Sequence, residues 1–375
     1  MDESRDGLKP DMDRIAAWTE RLCGIPGLSG AEDPVSTVIA DELKPLAPNQ
    51  HIDVLGNLTV TVPGSDPGAP KIMVFAHTDQ LGLVVRRIEP DGFLRVERLG
   101  GVPERVLPGL EIVVTNARGE AVPGLVCVKA HHATPPEEKG VVLTADKLRL
   151  DVGAESAAAV RALGIEIGAP VTYRPRFQRL GPHRICGTAI DDRAGCAVLM
   201  DVVRAVVERP VPSTLQAVFS VQEEFNLRGA MVAAARLRPD AAVSIDIMVA
   251  SDTPDLAERG ELRLGGGPAL GLYSFHGRGT LNGTLAHPAW VRVLEGAGTA
   301  AGLTLQRSAH TGALTDSSYV QLVGEGIPSV DVGYATRYTH TPVEMCDLRD
   351  LVGLTAWLHA ALAAMPAGFS FARRA

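Results

Sequence analysis

The sequence predicts an α/β protein, a central sheet flanked by helices, with a small β-rich domain set inside the chain. Three observations lead there. Apolar strand-like runs at 71–76, 214–221 and 241–247 each lead to acids or a histidine, in a strand, acid and helix grammar that is present before residue 83 and resumes after 180. Between those points the texture changes to short strand candidates separated by Gly, Pro and Asp turns. With 375 residues and 46% hydrophobic content, the chain can bury one large core or two of ordinary size. The expected division is 1–82 with 181–375 as the larger domain and 83–180 as the insert.

Composition removes several function classes. A net charge of −8 with dispersed Lys and Arg argues against nucleic acid as a partner. The start, MDESRDGLKPDMDR, lacks an apolar segment of signal-peptide length, and no later stretch is apolar enough to cross a bilayer. The expectation is a cytoplasmic protein with no membrane partner. Five cysteines (Cys23, Cys127, Cys186, Cys196 and Cys346) lie far apart without a CxxC pair, which excludes a disulfide framework or zinc ribbon and suggests buried free thiols.

Residues 11–23 carry apolar positions at helical spacing, GIPGLSGAED breaks the pattern, and a second helix over about 33–46 follows, which Ser29, with Asp33 nearby, could cap. HIDVLGNLTVTV reads as a strand or hairpin around Gly56-Asn57. Next, residues 71–76 form a buried strand with His77, Asp79 and Gln80 at its end. LGLVVRRI, GFLRVERL, LEIVVTNARGEAVPGLVCVKA and PVTYRPRF supply the strands of the insert, and ESAAAVRALG its one good helix. HHATPPEEKG has the Pro and charge content of an exposed loop, and adjacent rings such as His131 and His132 seldom face one ion. After 185 come a helix opened by Asp191-Asp192, the strand before Glu223 with its helix, and a strand ending near Asp246. Residues 257–290 are Gly-rich and unassigned. HPAWVRVLEGAGTAAG and TDSSYVQLVGEG are helical, PSVDVGY is a strand, TRYTHTPVEM a loop, and a last helix covers about 347–365.

The chemistry lies in position. His77 follows KIMVFA, Glu223 and Glu224 follow TLQAVFSV, Asp246 stands within AAVSIDI, His340 lies just beyond PSVDVGY, and Asp191 opens a helix. In an open α/β sheet the carboxyl ends of the strands form one rim, so these side chains can converge. Each alone has a plain structural reading: buried imidazoles find carboxylates, acids cap helices, and Glu223-Glu224 could be a solvated turn. Their recurrence at one edge outweighs that. Two imidazoles and several carboxylates without a thiolate suit zinc, cobalt or manganese, and one carboxylate too many for a tetrahedral site suggests two ions. Adjacent acids that point different ways allow one to hold metal while the other moves a proton.

AHTDQLG, GTAIDDRAG, SVQEEFNLRGA, SIDIMVASDTP and RYTHTPVE together resemble the dinuclear metallo-aminopeptidases of metallopeptidase family 42, the TET-type enzymes, some once labelled endoglucanases. The similarity runs from about residue 15 to 365 in family order. It implies a mixed central sheet of the zinc-exopeptidase kind, a β-barrel-like insert used for dimerisation, a tetrahedral dodecamer, two divalent ions per chain, and removal of amino-terminal residues from short peptides. By the same resemblance, His77 and Asp246 hold one ion, Glu224 and His340 the other, and Asp191, chosen over Asp192, bridges them. Asp79 orients His77, and Glu223 is the unligated general base.

This sequence also departs from the pattern. Gln80 stands where the family has Glu, and AHTGALTDSSY keeps only Thr315-Asp316 of a segment that lies near the family's pocket. FHGRGTLNGTLAH, with His276, Arg278 and His287, reads either as a pocket loop or as a polar turn, and Arg337 and Tyr338 are candidate substrate contacts. Two other readings stay open: another two-metal amidohydrolase, such as a carboxypeptidase or N-acyl amino acid deacylase, and a non-catalytic scaffold that retains metal. A glycosidase is disfavoured, because its paired acids need no histidines placed like ligands.

Overall fold

The computed structural model describes residues 11–276 and 283–372. The charged leader at 1–10 and Arg278 therefore lie outside the described residues. Parallel strands covered on both faces have to be apolar at nearly every position, and Lys71–His77, Thr214–Ser220, Ala241–Val249 and Ser329–Thr336 meet that demand. They form the parallel centre of a nine-stranded sheet. Antiparallel partners complete it, with Leu58–Val62 and Gln50–Ile52 at one margin and Ala269–Phe275 with Gly283–Leu285 at the other.

The period-two alternation of a strand decides which helix covers which face. Ile72, Val74 and Ala76 point into a core shared with Ile15, Leu22, Ala197, Trp290 and Leu354, contributed by Met12–Cys23, Ile190–Glu208, Pro288–Ala300 and Leu348–Ala363. Met73 and Phe75 point the other way, onto Ala230 and Ala233 of Gly229–Leu237 and Val320 of Ser317–Val320. Capping fixes two helix starts: Asp11 accepts from the amides of Asp13 and Arg14, and Asp347 from that of Arg349. No helix among the described residues is long and apolar enough to cross a membrane.

The segment between the two stretches of this sheet closes on itself. Gly82–Ile88, Leu94–Leu99, Leu150–Asp151, Ala121–Val126, Glu111–Thr115 and Pro170–Tyr173 form, in that spatial order, an antiparallel barrel around Leu83, Val85, Val96, Val114 and Val171. Closure leaves no free edge. A three-stranded sheet of Phe177–Leu180, Arg184–Gly187 and Glu344–Asp347 then leads the chain back.

Five elements differ from the sequence expectation. Ser29 does not cap the second helix, Asp33–Leu43, because its hydroxyl donates to Asp79 Oδ2 at 2.6 Å. The strand through Asp246 continues to Val249, held by the parallel pairing that runs to Thr336. The helix after Asp316 is one turn, Ser317–Val320. Ala269–Phe275, inside the unassigned Gly-rich stretch, and its edge partner Gln306–Thr311 are strands; the latter is too polar for periodicity to reveal it. All five cysteines are free, with only Cys127 partly exposed.

Gly333 sits opposite Asp246 in the parallel pair, and a Cβ there would lie 1.9 Å from the Asp246 carbonyl oxygen. Gly333→Ala is expected to destabilise the protein by about 1–3 kcal/mol through overpacking. The check is a thermal melt, in which an unchanged midpoint would mean that the strands have slack.

Candidate active site

Adjacent strands deliver the site. His77 ends one strand, and Ser220, its register partner, ends the next. The chain then leaves the sheet in a loop carrying Glu223 and Glu224, while Asp246 enters from the strand on the other side of Lys71–His77. Asp191 opens Ile190–Glu208 with extended rather than helical dihedrals, φ −78° and ψ 106°. Its carboxylate is thereby turned toward the sheet edge.

Two histidines face this one carboxylate. His77 Nε2 is 3.1 Å from Asp191 Oδ1, and His340 Nε2 is 3.7 Å from Asp191 Oδ2. Glu223 Oε2 lies 4.0 Å from His77 Nε2, and Glu224 Oε1 lies 3.9 Å from His340 Nε2. Potential donor atoms gather into two groups, each within 4.8 Å internally: His77, Glu223 and Asp246, and Asp191, Glu224 and His340. Glu223 thus stands as close to donor positions as Asp246 does.

A second ring of residues fixes the first. His77 Nδ1 is 3.2 Å from the Asp79 carbonyl, while the Asp79 carboxylate accepts the amides of Glu223 and Glu224 at 3.0 Å each. His340 Nδ1 is 3.0 Å from the Gly101 carbonyl, and the Tyr173 hydroxyl donates to the His340 carbonyl at 3.2 Å, so the loop after the second barrel strand and the end of the last one both touch this residue. Glu344 accepts from the amides of His340 and Asp191 at 2.6 and 3.0 Å. Tyr334 OH lies 2.8 Å from Asp192 Oδ1 and keeps that acid in the interior.

The adjoining cavity has a volume of about 470 Å³, and no Lys or Arg stands among its described lining residues. His276 and Thr315 line it, with Thr315 Oγ1 bonded to Asp331. Gln80, Asp316, Arg337 and Tyr338 do not. Gln80 is buried, its backbone amide donating to the Gly27 carbonyl, and Asp316 accepts from Ser220 Oγ. Arg337 is held bidentate by Asp252 at 2.7 and 2.8 Å, and Tyr338 points outward, 49% exposed. His287 starts the helix Pro288–Ala300 rather than lining the pocket. The sequence reading missed Gly101, Glu344, Tyr273 and His310. Glu344, four residues beyond His340, was within reach; Gly101 carries no sequence signal, since its carbonyl acts.

Crowded acids without cations shift one another. Burial, then the neighbouring carboxylates of Asp246 and Glu224, push Glu223 well above its ordinary range; burial and Asp191 do the same to Asp246. Glu224 rises to about 7 through burial and Asp191, and Asp316 to about 7 through burial and Asp79. Burial disfavours charge on His340, but Glu224 and Asp191 outweigh it and raise the ring to about 9. Asp79 goes the other way: burial opposes its charge, yet bonds from His77, Ser29 and the Glu223 amide lower it.

A sheet edge that collects imidazoles and carboxylates, with an antiparallel barrel threaded into the same chain, defines a hydrolase of the metallopeptidase class. The chain belongs to the M42 glutamyl aminopeptidase family, whose model matches residues 56–356. It is 37% identical over 340 residues to the SgcX protein of Escherichia coli (strain K12), covering 91% of each. Among solved structures, aminopeptidase APDkam598 from the archaeon Desulfurococcus kamchatkensis superposes with a TM-score of 0.88 at 33% identity, over 94% of this chain and 95% of that one. The TET1 peptidase of Pyrococcus horikoshii, described as assembling into a tetrahedron or a large octahedral shell, gives 0.83 at 25% identity, over 93% and 99%. The protein is therefore an aminopeptidase of the M42 kind, and its family implies divalent metal.

The raised carboxyls carry a pH signature. A carboxyl whose folded value exceeds its unfolded one stabilises the fold fully below the unfolded value and loses that contribution as pH rises through the folded value. For Glu224 and Asp316 the window runs from the ordinary 4.5 and 3.8 up to about 7. The metal-free protein is expected to melt progressively lower as pH rises across this window, and an added divalent ion to restore the midpoint by binding the folded state. Melts at stepped pH, with chelator and then with metal, check this; a midpoint that rises across the window would refute it.

Proposed function

We propose that the chain removes single residues from the amino terminus of short peptides, using two divalent ions, zinc, cobalt or manganese. The observation that carries this reading is Asp191, whose two oxygens address two different imidazoles at 3.1 and 3.7 Å. A shared carboxylate between two donor groups fits an ion pair about 3.5–4 Å apart. The donor chemistry fits as well: nitrogen and carboxylate oxygen only, buried except at the half-buried Glu224 and His340, in excess negative charge, and without a Lys or Arg in the described lining to neutralise it. His77 and Asp246 would hold one ion, Glu224 and His340 the other, with Asp191 common to both.

Bound there, the ions would lower the pKa of water and polarise the scissile carbonyl. The chain's own residues do the rest. Glu223, buried beside His77 and Asp246, takes a proton at its carboxylate from the attacking water and passes it to the departing amine. Asp79 keeps Glu223 and Glu224 at their stations through their amides.

The barrel is read as the surface for self-association, first as dimers and then as dodecamers. Leu125, Val128, Val141, Val142 and Leu143 are exposed on it, and the P. horikoshii relative forms closed shells. Five free thiols support a reducing, cytoplasmic setting.

Glu223→Gln is expected to keep its metal content while turnover of an aminoacyl-para-nitroanilide falls about 10²–10⁴-fold. Metal loss in that variant, with Glu224→Gln retaining metal, would reverse the two roles. Peptides with a free amino terminus should be cleaved and N-blocked ones spared; the opposite preference would favour the deacylase reading. Native mass spectrometry is expected to give a mass near that of twelve chains, and a monomer would remove the assembly.

A further inference from the structure

The acids at 223 and 224 stand on a loop, so their aim depends on what holds that loop's backbone. Four successive amides are each taken by a side chain from elsewhere. Val221 N–H donates to Asn57 Oδ1 at 3.1 Å, Gln222 N–H to Glu32 Oε1 at 3.0 Å, and Glu223 and Glu224 to the two oxygens of Asp79. The loop needs this grip. Gln222, Asn226 and Leu227 have φ of 57°, 71° and 56°, and such conformations persist in non-glycine residues only where the surroundings over-determine them.

Glu32 and Asn57 touch nothing that reacts. Neither lines the cavity, and they are 4% and 0% exposed. Their acceptors are nonetheless fixed. The same Glu32 oxygen also takes the Gly30 amide at 2.7 Å. The Asn57 amide group is oriented by Asp53, which accepts its Nδ2 at 2.8 Å and leaves Oδ1 facing Val221. The approach is close enough that a Cβ on Gly229 would lie 2.5 Å from Asn57 Oδ1 and 2.2 Å from the Val221 carbonyl. Residues 30–57, which contribute no donor to either group of potential ligands, thus grip the backbone at the point where the acids leave the sheet.

We propose that Glu32 and Asn57 are positioning residues for the reaction: by holding the amides of Gln222 and Val221 they aim the Glu223 carboxyl at the space between His77 and Asp246. This rests on the reading of Glu223 as the proton carrier. Displacement of a reacting group by about 1 Å can cost about 10²-fold in rate, so loss of either grip acts on turnover rather than on substrate or metal binding.

The test is steady-state kinetics on the full-length, metal-loaded protein with an aminoacyl-para-nitroanilide, and metal content on the same samples. Glu32→Ala, Glu32→Gln and Asn57→Ala are compared in the wild-type and Glu223→Gln backgrounds. In the wild-type background both Ala variants are expected to lose about 10- to 100-fold in kcat, with KM and bound metal unchanged. Glu32→Gln recovers most of that loss, because its amide oxygen accepts the same bonds. In the Glu223→Gln background neither Ala variant lowers the residual turnover further, because the group they aim is gone. An equal loss in both backgrounds, unchanged kcat, or a Glu32→Gln as defective as Glu32→Ala overturns the inference. Should Glu32→Ala fail to fold, Asn57→Ala decides by the same comparison. Full activity in Glu223→Gln alone would bring down the proposed mechanism and this inference with it. Unchanged kcat in Glu32→Ala and Asn57→Ala beside an inactive Glu223→Gln would remove only this inference.

Discussion

A carboxylate with no exposed surface has to be satisfied on every side, and Asp79 is satisfied by the parts of the site itself. It receives the amides of Glu223 and Glu224, the hydroxyl of Ser29 at 2.6 Å, and stands 3.5 Å from the His77 ring. Those contacts tie the end of one parallel strand to the loop that leaves its neighbour. An ionised group buried this deeply is tolerable only with such charge-assisted bonds. The strand ends, the acid pair and the first histidine consequently form one rigid unit.

The barrel segment reaches the site at His340 and at Glu224, which Gly100 approaches closely. With Nδ1 directed at the Gly101 carbonyl, the His340 ring keeps its Nε2 toward Asp191 and Glu224, and Tyr173 holds the same residue by its backbone. Ring orientation at one donor group is therefore set by a segment whose own core is separate from that of the sheet. A Cβ at Gly101 would lie 2.7 Å from that ring nitrogen, which explains the glycine without any appeal to its dihedral freedom.

Electrostatically the site works against the fold. Glu223, Asp246, Glu344 and Asp192 are all pushed toward their protonated forms, by burial first and then by neighbouring carboxylates, Asp191 for the last three and Asp246 with Glu224 for Glu223, against the opposing pull of the histidines. No stable apolar core would place them together, and hydrogen bonds such as those from the His340 and Asp191 amides to Glu344 and from Tyr334 to Asp192 hold them there. Such local conflict between function and stability is expected at an active site and is offset by the extensive apolar packing of the sheet.

Much of this was legible along the chain. Largely apolar runs announce parallel strands, and the acids and histidines at their ends announce a rim, because burial on both faces acts on local sequence. The spacing of the cysteines alone pointed away from a disulfide framework, and all five are free. What only the tertiary structure decided is who faces whom. Asp316, Arg337 and Tyr338 stand beside site motifs in sequence yet turn to Ser220, Asp252 and solvent, and Gln80 is buried outside the cavity lining. Gly101, Glu344, Glu32 and Asn57 act through carbonyls, amides and long-range bonds that leave no local pattern. Periodicity reports which residues are buried, because burial is a property of each position; partnership is a property of pairs, fixed only when strands distant in sequence come into register.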